Sequence, residues 1–305
     1  MTFRSLKALS LVLGLALFAW LPAAATAQST AKPIKVGMVK EFFNDLPKSL
    51  IDIAIDPFKD VMKLTTGLEG ELIVEGQVFD VAQKVRDGKV DLGVFHGHEF
   101  AWVQKKYPEL KPMMVAVNKH NSVKALIIVN QKNTASKIAD LRGQKIDVPM
   151  LAKQHTWICL GKHCGDNNAA GDPKSFFGAI VRSDSVVDAL DEVARGKVQA
   201  ALVDSLWLET YRREKGPVFD KHLRILHEES FLPPVIAFKE GGLEMATLNK
   251  VRDGLAQAAT NRKCADLLDM WQIKGFEPLP ANFTQGLADM LKAYPSPEPS
   301  KISMR

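Results

Sequence analysis

Cysteine is scarce in this chain of 305 residues: there are three, Cys159, Cys164 and Cys264. An odd count leaves at least one thiol unpaired. Cys159 and Cys164 stand five apart, about 8–9 Å on a continuous helix and beyond the roughly 7 Å reach of a bridge. Pairing them requires a break at Gly161 or Gly165, and a bridge to Cys264 is equally open. An excess of one charge is also missing. Forty basic residues face 35 acidic ones, a formal charge of +5, and no basic stripe is interleaved with aromatics. This excludes nucleic acid as the expected partner, while a mild positive bias tolerates an anionic ligand. G-x-S-x-G, H-E-x-x-H and Walker-type patterns are absent, and with them the sequence signatures of several hydrolase classes.

Long apolar runs are confined to Ala8–Leu21, slightly short for a spanning helix. Arg4 and Lys7 precede that run and Ala25-Thr26-Ala27 follows it. A basic start, a short apolar core and an A-x-A end describe a secretory signal peptide, residues 1–27. An uncleaved anchor is the alternative. With no lipobox cysteine, the expectation is a soluble exported protein, periplasmic and without a lipid anchor. The remainder is long enough for one large domain or two lobes of roughly 100–150 residues.

From Ile34 the pattern alternates. Ile34–Val39, Glu71–Glu75 and Val90–Phe95 are predicted strands. Ser49–Leu64, Val78–Arg86 and a segment from His98 or Glu99 to Tyr107 are predicted helices, with Pro57 opening a second turn rather than sitting mid-helix. This is the rhythm of a parallel sheet covered on both faces. Lys111–Val117 and Val123–Asn130 then follow without a helix between them, which suits a crossing into a second lobe. The rhythm restarts with strands at Lys145–Val148, Phe177–Val181 and Val198–Val203. Its helices are His155–Cys164, Val186–Arg195 and Trp207–Arg213, the last stopped by Gly216-Pro217, and 165–174 is a polar loop. Leu223–Leu226 and Val235–Phe238 return the chain toward the first lobe. Leu243–Ala259, Lys263–Trp271 and Asn282–Leu291 are further helices, and the Pro/Ser-rich tail from Pro295 is expected to be mobile. The expected division is 28–122 with 230–305 as one lobe and 123–229 as the other.

Candidate functional residues cluster at strand ends. His96 and His98 flank Gly97 where the strand Val90–Phe95 gives way to a helix, and ligands collect at the carboxyl ends of such strands. Glycine there lets backbone N–H groups approach a ligand. Phe42 and Phe43 follow the first strand as core or cleft wall. Trp157 and Trp207 are expected to pack rather than to bind ligand. His155, Cys159 and His163 recur every four residues, near one helix face, a possible metal constellation by ligand type. A disulfide or buried thiol, with solvent-facing histidines, accounts for it without an ion, so no metal and no cofactor are expected. Cys159 beside His155 also matches the residue types of an activated nucleophile. It would lie one turn inside its helix, however, and an enzyme is not the expectation.

Taken together, Val78–Arg86 with Gly88-Lys-Val-Asp-Leu-Gly, Val123-Lys-Ala-Leu-Ile-Ile-Val-Asn, Ile138-Ala-Asp-Leu-Arg-Gly-Gln-Lys and Val193-Ala-Arg-Gly-Lys-Val-Gln-Ala-Ala-Leu-Val-Asp204 resemble the periplasmic binding proteins of phosphonate, phosphite and phosphate ABC importers. The resemblance runs from about Ile34 to Leu291. It implies an α/β, two-lobed type II periplasmic binding fold with a hinge and a central ligand cleft, and a monomer that delivers a small oxyanionic, phosphonate-like solute to an inner-membrane ABC permease. The same fold can instead present its closed state to a membrane kinase, or carry thiamin-related chemistry on a cysteine. In that family a Ser/Thr-rich helix start in the second lobe grips the anion. The matching segment here is Lys153-Gln-His-Thr-Trp157, which implicates His155 and Thr156. Ser185 stands where the family often has a histidine, Asp204 matches a family carboxylate, and His98 falls near a position that is often a phenol. The implied ligand-binding set is Phe43, His96, His98, His155, Thr156, Ser185 and Asp204. Protonation of His98 near its ordinary pKa, about 6.5, would then strengthen anion binding as pH falls.

Overall fold

The computed structural model describes residues 32–43, 48–118, 123–167 and 172–296. The expected leader, the rest of the tail after Ser296 and the centre of the predicted 165–174 loop lie outside the described residues. The chain begins with β1 (Ile34–Val39), α1 (Lys48–Thr66), β2 (Gly70–Glu75), α2 (Val78–Arg86), β3 (Leu92–Phe95), α3 (Gly97–Lys106) and β4 (Leu110–Asn118). It continues with β5 (Val123–Asn130), β6 (Lys145–Asp147), α4 (Gln154–Asp166), α5 (Pro173–Phe176), β7 (Ala179–Val181), α6 (Val186–Ala194), β8 (Ala200–Asp204), α7 (Ser205–His222) and β9 (Leu223–Phe231). It ends with β10 (Val235–Lys239), α8 (Met245–Ala256), α9 (Arg262–Met270), β11 (Ile273–Glu277) and α10 (Phe283–Ala293).

The strands form two sheets. The first has the order β11-β4-β10-β3-β1-β2 and the second β7-β6-β8-β5-β9. In the first, β1 pairs in parallel with β2 and β3, while β10 runs antiparallel to both β3 and β4. The sheet is therefore mixed rather than purely parallel, because β10 returns from the second sheet and inserts between β3 and β4. The second sheet has the same mixture: β6 is parallel to β7 and β8, and β5 is antiparallel to β8 and β9. The chain passes between the sheets twice, from β4 to β5 and from β9 to β10.

Apolar side chains fill both faces of each sheet. Val81, Val85, Phe95 and Phe100 lie on one side of the first sheet, and Val61, Met62, Leu92 and Val251 on the other. Ile127, Ile146 and Leu202 pack on one side of the second, and Leu126, Leu190 and Tyr211 on the other. Fully burying one such side chain contributes about 1.5–3 kcal/mol. Two short turns repeat between the halves. Gly88 ends α2 at φ 69° and Gly196 ends α6 at φ 75°. Nothing lies within 4 Å of a Cβ at either position, so the left-handed backbone alone calls for glycine there. Gly97 has a different reason. A Cβ there would collide with the side chain and carbonyl of Leu232, so its absence lets α3 start against the β9–β10 crossing.

Several boundaries differ from the sequence reading. Pro57 does sit inside a continuous α1, where it removes one backbone hydrogen bond that the rest of a 19-residue helix outweighs. Gly216-Pro217 kinks α7 at Lys215 (φ −131°, ψ 33°) instead of ending it. β9 extends to Phe231, because pairing with β5 along its whole length overrides the polar run His227-Glu228-Glu229. β11 and the short α5 were not expected. Among the described residues no helix is long and apolar enough to cross a membrane.

Candidate functional site

Three helix starts meet at one cavity of about 440 Å³. His96 is the N-cap of α3, Lys153 of α4 and Asp204 of α7, and all three line it. The first turn of each helix carries N–H groups without intrahelical partners, and the three positive dipole ends favour negative charge there. Val94, Ile236 and Met38 from the first sheet, with Phe43, Trp207 and Trp271, supply apolar wall. Gln272 also lines it and is the one non-glycine residue with positive φ, 56°, among the described residues.

His155 is a poorly satisfied polar group in the cavity. It is 2 % exposed, and neither ring nitrogen makes a well-formed hydrogen bond, its contact with the Lys124 backbone falling short of one. Burial, with the neighbouring His96 and Lys153 charges, pushes its pKa down to about 3, so the ring is neutral near pH 7. His96 stacks on Phe42, ring centroids 3.9 Å apart. Its Nδ1 lies 2.9 Å from Glu99 Oε2, and its backbone N–H donates to the same oxygen at 3.1 Å. Burial lowers the His96 pKa and raises that of Glu99 to about 7. A protonated Glu99 donates to Nδ1 and so leaves a hydrogen on Nε2.

The sequence-predicted residues divide. Phe43, His96, His155 and Asp204 line the cavity; His98, Thr156 and Ser185 are not among its lining residues. His98 is buried against Trp102 and Phe231, with Nε2 3.3 Å from Gln154 Oε1. Burial pushes its pKa down to about 3, which removes the expected titration near 6.5. The Thr156 hydroxyl donates to the Lys153 carbonyl at 2.7 Å. Ser185 caps α6, accepting from the Asp188 N–H at 3.1 Å and donating to Asp188 Oδ2 at 2.6 Å. Asp204 Oδ1 accepts from the Trp207 N–H at 3.0 Å. Sequence reasoning missed Lys153, although it opens the very segment singled out, and assigned Trp207 to packing. All three cysteines are free and buried, and α4 runs unbroken through Cys159 and Cys164.

A family model described as the periplasmic substrate-binding protein of phosphonate ABC transporters matches residues 48–282. No curated protein matches the chain. Among solved structures, an ATP-bound protein of Xanthomonas citri superposes with a TM-score of 0.61 at 15% identity, covering 88% of this chain and 97% of that one. A binding-protein component of an ABC phosphonate transporter from Pseudomonas aeruginosa gives 0.57 at 16%, covering 89% and 92%. PhnD1 of Prochlorococcus marinus in complex with methylphosphonate gives 0.57 at 14%, covering 86% and 97%. At these identities the likeness shows the fold, the two-lobed type II periplasmic binding architecture.

Proposed function

The chain belongs to the family of periplasmic substrate-binding proteins of phosphonate ABC transporters, and from that premise we propose that it captures an organic phosphonate, anionic head first, in the cavity between its two sheets. The observation that carries this reading is the convergence of the α3, α4 and α7 starts on one cavity that also holds the buried ring of His155, which has no well-formed hydrogen bond. A buried polar group left wholly without a partner costs about 1–3 kcal/mol; the His155 ring, with only a poorly formed contact to the Lys124 backbone, carries part of that cost, and a phosphonate oxygen accepting from the ring offsets it. Lys153 supplies positive charge and His96 Nε2 a further donor. The apolar wall around Val94 and Phe43 suits a small carbon substituent on phosphorus. Asp204, which caps α7, suits an amine on that substituent.

In this reading residues 28–122 with 230–305 form one lobe and 123–229 the other. They close about the two crossings, and the closed form docks on an inner-membrane permease as a monomer. Residues 1–27 serve as a cleaved signal peptide that delivers the protein to the periplasm. The protein binds rather than transforms its solute. Burial, with the charge of Glu229 adding, pushes the Cys159 thiol up to about 12, and Cys159 does not line the cavity, so it is unsuited to act as a nucleophile there.

A thermal-shift screen over alkyl- and aminophosphonates, phosphate, sulfonates, amines and ATP tests the reading. A ligand at 100 times its Kd adds about 2.7 kcal/mol of stability. Phosphonates are expected to shift the transition most; a response confined to amines or sulfonates would overturn the assignment.

A further inference from the structure

A second group of ligating side chains lies outside that cavity. Cys159 and His163 stand one turn apart on α4, on one face of the helix. β9 brings up His227 and Glu229, two residues apart and so on one face of the strand. One ligand atom from each of the four lies within 4.8 Å of all the others. Glu229 Oε2 is the hub: it is 2.7 Å from His163 Nε2, 3.5 Å from His227 Nε2 and 3.8 Å from Cys159 Sγ. The two imidazoles meet edge to face with centroids 4.3 Å apart. His227 Nε2 is buried, and its approach to Glu229 Oε2 falls short of a well-formed hydrogen bond.

We propose that Cys159, His163, His227 and Glu229 bind one divalent transition-metal ion of zinc type. One sulfur, two imidazole nitrogens and one carboxylate oxygen make a four-coordinate set of borderline softness. Around an ion with bonds of about 2.0–2.3 Å, tetrahedral ligand atoms stand roughly 3.3–3.8 Å apart. To enclose an ion, His163 and Glu229, now 2.7 Å apart, must separate, and the more distant ligand atoms of the group, which lie within 4.8 Å of one another, must draw in by up to about 1 Å. On binding, the Cys159 thiol gives its proton to solvent and both imidazoles coordinate as neutral rings. Thiolate and carboxylate then balance the two positive charges. Lys162 Nζ donates to the other carboxylate oxygen, Oε1, at 2.8 Å, the kind of outer contact that orients a ligating carboxylate.

The constellation visible in the sequence was a different one, His155 with Cys159 and His163 on one helix. His155 packs against Phe231 instead, 5.3 Å between centroids, and β9 completes the set. Its position gives the ion a mechanical role. β9 leads directly into the crossing toward β10, and Cys159 packs with Phe231 and Tyr294. A bound ion ties α4 to β9 beside that crossing.

The test is titration of chelator-treated full-length protein with cobalt(II) as a spectroscopic stand-in for zinc. Expected are one equivalent bound, the intense visible bands of tetrahedral cobalt, a thiolate-to-cobalt charge-transfer band in the near ultraviolet, and displacement of both by zinc. Cys159→Ser should lose the charge-transfer band, His227→Gln should weaken binding at least tenfold, and Cys264→Ser should change neither. If the wild-type protein shows no charge-transfer band, or Cys159→Ser keeps it, the proposal is wrong. The wild-type titration decides the matter even where a variant folds poorly.

Discussion

Replacing His155 by Phe separates two roles of one side chain. The ring is 2 % exposed with a pKa near 3, against about 6.5 for a histidine in an unfolded chain. Because the folded pKa is the lower, the unfolded state takes up the proton first. The stability that His155 contributes is complete above pH 6.5 and is lost as pH falls toward 3, at about 1.4 kcal/mol per pH unit. Between pH 7.5 and 5 that loss is about 2 kcal/mol. The phenyl ring cannot titrate, so the variant should gain about 2 kcal/mol on the wild type over that range. His96 and His98, both lowered, and Glu41 and Glu99, both raised to about 7, titrate in both proteins and cancel in the comparison to first order. At pH 7.5 the two proteins should lie within about 1–2 kcal/mol, since removing a poorly hydrogen-bonded buried group offsets the extra volume. Urea unfolding at pH 7.5, 6 and 5 with a common m-value measures this. Parallel pH profiles would refute the burial argument. In calorimetry, His155→Phe should weaken phosphonate binding about tenfold.

The other predictions concern the rest of the cavity rim. Lys153→Met should lose about 1.5–3 kcal/mol of phosphonate affinity and flatten its dependence on ionic strength, measured by calorimetry at two salt concentrations. Wild-type anion affinity should rise as pH falls through about 7, where Glu99 takes its proton and His96 Nε2 becomes a donor; Glu99→Gln should show no such rise. Gly97→Ala should destabilise by about 1–3 kcal/mol in chemical denaturation, because its methyl group meets the Leu232 backbone.

The fold was largely legible because periodicity and glycine stops reflect local physics. Val78–Arg86 closing on Gly88, and Val186–Ala194 on Gly196, were visible in outline from sequence alone. What failed depended on distant partners. The polar run His227-Glu228-Glu229 becomes strand only because β5 lies beside it, and β11 exists because β4 offers an edge. The site divided for the same reason. His96 and Asp204 reach the cavity because strand ends give way to helix caps there. His98, two residues from His96, turns into the core instead, and nothing local tells the two apart. Lys153 carried only the faint signal of preceding a helix start, and the pairing of α4 with β9 was out of reach of any spacing argument.

The central claim is that an anion sits where the α3, α4 and α7 starts converge. A crystal structure grown with methylphosphonate tests it most directly. The account predicts phosphonate oxygens within hydrogen-bonding distance of Lys153 Nζ and the His155 ring, with the methyl group against Val94 or Phe43. Methylphosphonate bound away from these residues would contradict it.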